Sequence, residues 1–261
     1  MERLTLRQIQ EILLEILSDV DACCSAHGIR YSLAFGTLLG AVRHGGFIPW
    51  DDDVDIIMPR ADFDRFTALY PRSDHRYHLL YNTRTADEFY ALGFAKVHDP
   101  QTSKFVGERR SLFRYGVSVD IFPLDAVPDD DAECLSYMKE LIHLHRRLYF
   151  RHKRFPYGSP FTLLESRLRS FDAWWEACDR LARKYDSCAC RRVAHILGSN
   201  TFESVHDKAL FDDLAPVSFE GRSFPAFRDT HAYLSQVFGP DYMTPPPPEQ
   251  RHGHDCNMYR L

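Results

Sequence analysis

The sequence predicts a mixed α/β fold (α+β), a mixed sheet flanked by helices, with a helical subdomain following the sheet. Short β-rich runs alternate with segments of helical spacing through the first half, and a long stretch rich in Leu, Arg, Glu and aromatics then keeps helical spacing. The chain of 261 residues is 44% apolar and 13% aromatic, enough to fill a sizeable core. No internal repeat or low-complexity linker interrupts it. The expected layout is one domain over 1–261, with an α/β core at 25–128, a helical subdomain at 129–200 and a C-terminal segment of the same domain at 201–261.

Leu6, Ile9, Leu13, Ile16, Leu17, Val20 and Cys24 recur at helical spacing, with Thr5 placed as N-cap and Gly28 as the stop. Ile29 to Phe35 reads as a short buried strand, broken by Gly36-Thr37 before a second helix that ends near His44-Gly45-Gly46. After Trp50 comes a carboxylate cluster, then the strand Val54 to Met58, closed by Pro59. Asp62 to Leu69 reads as helix, Tyr77 to Tyr81 and Leu92 to Val97 as strands, and Gly116 to Phe122 as a strand stopped by Pro123. Helical spacing returns over Asp131 to Arg151 and Phe161 to Tyr185. Val217 to Phe224 reads as a hairpin around Glu220-Gly221, His231 to Phe238 as a short helix, and Pro245 to Pro248 as the start of a stiff tail.

Composition excludes several functions. Lys and Arg total 32 against 37 Asp and Glu, a formal charge of −5, and no basic block tracks a nucleic-acid backbone. Any phosphate must therefore be met locally. The longest stretch free of Asp, Glu, Lys and Arg runs from Tyr31 to Val42, short of the roughly 20 apolar residues of a membrane span. No secretory signal is visible, and seven Cys without framework spacing read as reduced thiols. The expected location is cytoplasmic.

Asp51, Asp52, Asp53 and Asp55 place four carboxylates within five positions. On an extended backbone Asp53 and Asp55 share a face, because the side-chain period is two. Two anions held this close repel, and a hard divalent cation relieves the repulsion, which points to Mg²⁺ or Mn²⁺. The plain alternative is a solvated acidic turn. Against it, Asp55 lies inside the apolar run Val54-Asp55-Ile56-Ile57-Met58, where an unpaired charge costs several kcal/mol. Asp120 is likewise set in the apolar run Val117 to Phe122, and a neighbouring strand can bring it to the first pair. Upstream, the helix opened by Gly36-Thr37 offers backbone N–H groups to phosphate oxygens.

The run from Tyr31 to Ile56, with Phe35-Gly36-Thr37-Leu38-Leu39-Gly40 and Trp50-Asp51-Asp52-Asp53-Val54-Asp55 at its centre, resembles the signature of the LicD family, bacterial phosphocholine transferases related to fukutin and fukutin-related protein. Val119 to Asp125 resembles the family's second motif. Phe219 to Phe227, Phe238 to Met243 and Pro245-Pro246 resemble its C-terminal signature. The resemblance implies a nucleotidyltransferase-like fold in which Gly36-Thr37 is the phosphate-binding turn, Asp53 and Asp55 are the metal-binding pair, and Asp120 is the third carboxylate. It also implies transfer of a phosphocholine-like group from CDP-choline or another CDP-alcohol to a hydroxyl of a cell-surface glycan or glycolipid precursor, with CMP released.

On that reading Asp53, Asp55 and Asp120 are both metal ligands and catalytic residues, with Asp120 as the base. Arg43 and Lys96 join Gly36 and Thr37 as phosphate contacts. The other functions weighed are a nucleotidyltransferase that releases pyrophosphate and a catalytically silent glycan-binding scaffold. Three mutually repelling carboxylates speak against the scaffold. His143, His145, Arg146 and Arg147 form a polar helix face whose functional version is peripheral contact with the inner membrane face. Zinc readings of His252, His254, Asp255 and Cys256, and of Cys178, Cys188 and Cys190, lack paired ligand spacing. Trp174 and Trp175 read as core.

Overall fold

The structure, a computed structural model, describes residues 1–85, 89–90, 92–106, 109–110, 115–152, 160–195, 204–251, 253 and 257–261. The described helices are α1 (Leu6–His27), α2 (Phe35–His44), α3 (Arg60–Leu69), α4 (Asp131–His152), α5 (Pro160–Arg167), α6 (Phe171–Ala182) and α7 (Thr230–Phe238). The content is mixed α/β, as expected. The chain forms two compact units. One comprises Met1–Tyr90, Phe94–Pro123 and Leu210–Leu261, and the other comprises Ala91–Gly93 and Leu124–Ala209.

In the first unit, α1 starts in a capping box. The Thr5 side chain accepts from the Gln8 N–H, and the Gln8 side chain accepts from the Thr5 N–H. The helix ends at Gly28 in the left-handed region, φ +59°. Ile9, Leu13, Ile16, Leu17, Val20 and Cys24 are buried along one face. Strand Ser32–Leu33 pairs antiparallel with Val54–Pro59, with Ser32 opposite Ile57 and Leu33 opposite Ile56. Val54–Pro59 lies beside Ser118–Val127. Ser118 to Ile121 then pair with Ala95–His98, and that strand pairs with His78–Leu80. The core strand is apolar on both faces, with Val54, Ile56, Ile57 and Met58 all buried.

The hairpin Leu214–Phe219 and Arg222–Phe227 turns at Glu220 (φ +49°) and Gly221 (φ +74°), the two positive angles that suit the twist of its strands. Its tip holds the loop after α2: Glu220 N–H donates to the Gly45 carbonyl, and Glu220 Oε1 accepts from the Phe47 N–H. A separate small sheet joins Glu2–Arg3, Asn257–Arg260, Thr102–Val106 and Arg109–Arg110 in that order.

In the second unit, α4 packs on α5 and α6, and the end of Ser118–Val127 pairs with Arg192–Ala194, which pairs with Val205–Asp207. Val127, Cys134, Tyr137, Met138, Leu141, Ala182 and Ala194 form one core cluster. Trp174 is buried with Leu148 and Cys178, and its indole N–H donates to the Ser166 carbonyl, which bears out the core reading.

Four expectations are corrected. Gly36-Thr37 does not break the chain: the helix already begins at Phe35, and the preceding strand is only Ser32–Leu33. Pro123 does not stop its strand, which runs from Ser118 to Val127. It falls between the ladder to Ala95–His98 and the ladder to Arg192–Ala194, where its missing N–H costs neither of them a bond. The stretch Phe161 to Tyr185 is two helices, because Ser170 caps α6 by accepting from the Ala173 N–H. The tail beyond Pro248 ends in a strand, not only a stiff extension.

Candidate active site

Asp55 is fixed through its backbone before its side chain matters. Its N–H donates to Thr37 Oγ1 at 2.9 Å, and its carbonyl accepts from the Ala34 N–H at 3.0 Å. Strand and helix start are thereby tied together, so the carboxylate stands beside the N-terminus of α2. That terminus has no side-chain cap and no acidic residue in its first turn, and its first helical bond is Leu38 N–H to the Ala34 carbonyl. The N–H groups of Gly36 and Thr37 precede that bond. Phe35 enters the helix at φ +45°, a costly conformation for a bulky residue and one concentrated at functional sites.

Burial pushes the Asp55 carboxyl well above its ordinary range, and the like charges of Asp53, Asp120 and Asp51 add to the rise, against the opposing pull of Lys96. Asp120 is thus near enough for its charge to act on Asp55. Asp120 and Lys96 are cross-strand partners, and the Lys96 ammonium donates to Asp120 Oδ1. Lys96 is 6% exposed and so is no ordinary surface cation.

Among the described residues, no three His, Cys, Asp or Glu side chains are already drawn together as a metal-ligand set. The donor chemistry nevertheless fits a hard cation: oxygen donors only, with burial and the like charges of Asp53 and Asp120 raising the Asp55 carboxyl.

The remaining phosphate candidates are placed as follows. A Cβ on Gly36 would come within 2.9 Å of Asp51 Oδ2, so the space over this glycine is bounded by a carboxylate. Thr37 is buried, with its hydroxyl oxygen on the Asp55 N–H. Arg43 donates to the Tyr242 carbonyl at 2.8 Å, and burial and then Arg251 lower its guanidinium from the ordinary value. Arg251 lies over the Trp50 ring at 5.3 Å and donates to the Pro246 carbonyl, so the tail carrying Tyr242 and Pro246 packs against the acidic loop.

Sequence reasoning missed Tyr233, which is buried on α7. Its hydroxyl oxygen accepts from the Phe35 N–H at 3.4 Å, and burial, with a contribution from Asp55, raises its phenol. It also missed Tyr90, Phe94 and Tyr115 around Lys96. Only Phe94 carried a signal, being two residues from Lys96 within the run Leu92 to Val97 that reads as a strand in sequence. Cys178 and Cys190 are buried thiols, pushed up to about 12 and about 11 chiefly by burial. His252, His254, Asp255 and Cys256 lie outside the described residues. No described helix is long and apolar enough to cross a membrane.

Residues 28–157 match the LicD/FKTN/FKRP nucleotidyltransferase domain. Over 97% of its length, and 97% of the relative's, the chain is 32% identical to the lipopolysaccharide cholinephosphotransferase LicD of Haemophilus influenzae. A stretch of 51 residues, 20% of this chain and 10% of the relative, is 45% identical to the human ribitol 5-phosphate transferase FKRP. A stretch of 60 residues, 23% of this chain and 19% of the relative, is 40% identical to an uncharacterized protein of Rickettsia typhi.

Proposed function

The chain belongs to the LicD family of phosphotransferases, and from that membership we propose that it moves phosphocholine or a similar phospho-alcohol from a CDP-activated donor to a hydroxyl of a cell-surface glycan or glycolipid precursor, releasing CMP. The observation that carries this reading is the electrostatic convergence of Asp53, Asp55 and Asp120 beside an uncapped helix N-terminus. Anion receptors and carboxylates facing one another are what a diphosphate with a divalent cation requires.

Asp53, Asp55 and Asp120 would hold Mg²⁺ or Mn²⁺, which when bound supplies positive charge to the diphosphate and the leaving group. The N–H groups of Gly36 and Thr37 bind phosphate oxygens, and Lys96 and Arg43 add charge-assisted bonds. Asp120 takes the proton of the acceptor hydroxyl. The new bond joins that hydroxyl oxygen to the donor's alcohol-bearing phosphorus, and the bond from phosphorus to the CMP oxygen breaks with its electron pair leaving on CMP. The reaction takes place in the cytoplasm, with peripheral contact at the membrane that carries the acceptor.

The test is to incubate the full chain and Mg²⁺ with CDP-alcohols, nucleoside triphosphates and a glycolipid extract, following phosphorus products. CMP from a CDP-alcohol is expected. Pyrophosphate from a triphosphate, with no CMP, would instead establish nucleotidyl transfer.

A further inference from the structure

The second unit carries a one-sided charge. Residues 141–171 hold seven Arg and Lys against one acid, Glu165, although the chain as a whole is net −5. The next acids in sequence, Glu140 and Asp172, bound the stretch. Glu165 is itself already met, since Arg147 Nε donates to its carboxylate at 3.0 Å and Arg147 Nη2 lies 2.8 Å away. Arg146 on α4, and Arg167 and Arg169 at the end of α5, are exposed. A cationic stretch of this kind draws an anionic surface to it.

α5 adds an apolar face. Its inner side is anchored: Ser166 is buried, and its carbonyl accepts from the Trp174 indole N–H at 3.0 Å. The turn continues past the helix to Leu168, whose N–H donates to the Glu165 carbonyl at 3.0 Å. On the other side Phe161, Leu164 and Leu168 are 78%, 63% and 74% exposed. Their spacing of three and four places them within roughly 60° of the helix circumference, so they form one stripe. A single exposed apolar residue is ordinary, but a contiguous set rimmed by charge marks a surface that something covers.

We propose that this stripe and the arginines beside it are a docking face for an anionic phospholipid bilayer, with α5 lying in the plane of the interface. The proposal deepens the glycolipid-acceptor reading given above and rests on it, since such an acceptor is held in a bilayer. Charge decides the occupant. Phe161, Leu164 and Leu168 enter the boundary between headgroups and acyl chains, while the guanidinium groups of Arg167 and Arg169 stay level with the lipid phosphates. A second copy of the chain would set the same cationic stretch against itself, and like charges repel.

Flotation of the full chain with vesicles tests this. Wild type should bind vesicles of phosphatidylcholine with about one-third phosphatidylglycerol at least about tenfold more tightly than vesicles of phosphatidylcholine alone, and the difference should shrink as salt rises. The triple variant Phe161→Ser, Leu164→Ser, Leu168→Ser keeps the charge, and its binding to the anionic vesicles should fall at least about tenfold. Arg167→Gln with Arg169→Gln keeps the stripe and should lose most of the preference for anionic lipid. Thermal melts establish that each variant is folded, and Phe161→Ser alone replaces the triple variant if the latter does not fold. Equal binding of wild type to both vesicles, or undiminished binding by the folded serine variant, overturns the docking face. So does sedimentation of wild type as a dimer that the serine substitutions dissociate, which would put a second copy on the stripe. CMP release from a CDP-alcohol with a water-soluble glycan acceptor should be the same in the serine variant as in wild type. If wild type releases no CMP while the anionic vesicles still bind, the donor reading falls and the docking face stands.

Discussion

Thr37 fixes the backbone that carries Asp55, and Gly36 lies beneath the Asp51 carboxylate. Thr37→Val removes the acceptor of the Asp55 N–H without changing size, leaving a buried donor at a cost of about 1–3 kcal/mol. A lowered melting temperature and reduced turnover are expected, with Thr37→Ser close to wild type in both. Gly36→Ala brings a methyl to 2.9 Å from Asp51 Oδ2, the end of a side chain that can turn aside, so a melt should change little while calorimetric titration shows weaker donor binding. Asp53→Asn and Asp55→Asn should each cut turnover by at least about a hundredfold. Asp55→Asn should also raise the metal-free melting temperature near neutral pH: the folded state holds the Asp55 proton more tightly than the unfolded chain, so ionisation costs stability that the amide does not lose. The aspartates were legible in sequence because a charge inside an apolar run needs a reason. The partner of Lys96 was not, since only the register opposite Asp120 reveals it.

At the scale of elements, local signals gave α1 and the hairpin closely. The capping box, the apolar stripe and the Glu220-Gly221 turn are each written within a few adjacent residues. Where an element depends on what lies beside it, the sequence misled. Pro123 reads as a stop in isolation and is tolerated because the strand changes partner there. Glu220 shows an element acting at a distance, since it holds the loop that leads from α2 into the acidic cluster. Glu220→Ala leaves the Phe47 N–H without that acceptor. It should lower stability by about 1–2 kcal/mol and increase amide exchange across Gly45 to Trp50, measured by hydrogen–deuterium exchange, more than in α1.

For the whole molecule, cation binding should be visible without turnover. Mg²⁺ or Mn²⁺ should raise the melting temperature of wild type in proportion to the logarithm of its concentration, and much less in Asp55→Asn. An unchanged melt in wild type would remove the metal assignment. The longest-range feature, the Asn257–Arg260 strand, was invisible in sequence because four residues carry little pattern and its partners are Glu2–Arg3 and Thr102–Val106. The pairing of Glu2 with Arg260 also bears on synthesis on the ribosome. The first strand must wait for residues some 250 positions later, and so must the cover on the acidic loop, where Gly253 packs close to the Trp50 carbonyl. A nascent chain therefore carries its carboxylates through about 200 further residues of synthesis before Gly253, which packs beside them, has been made.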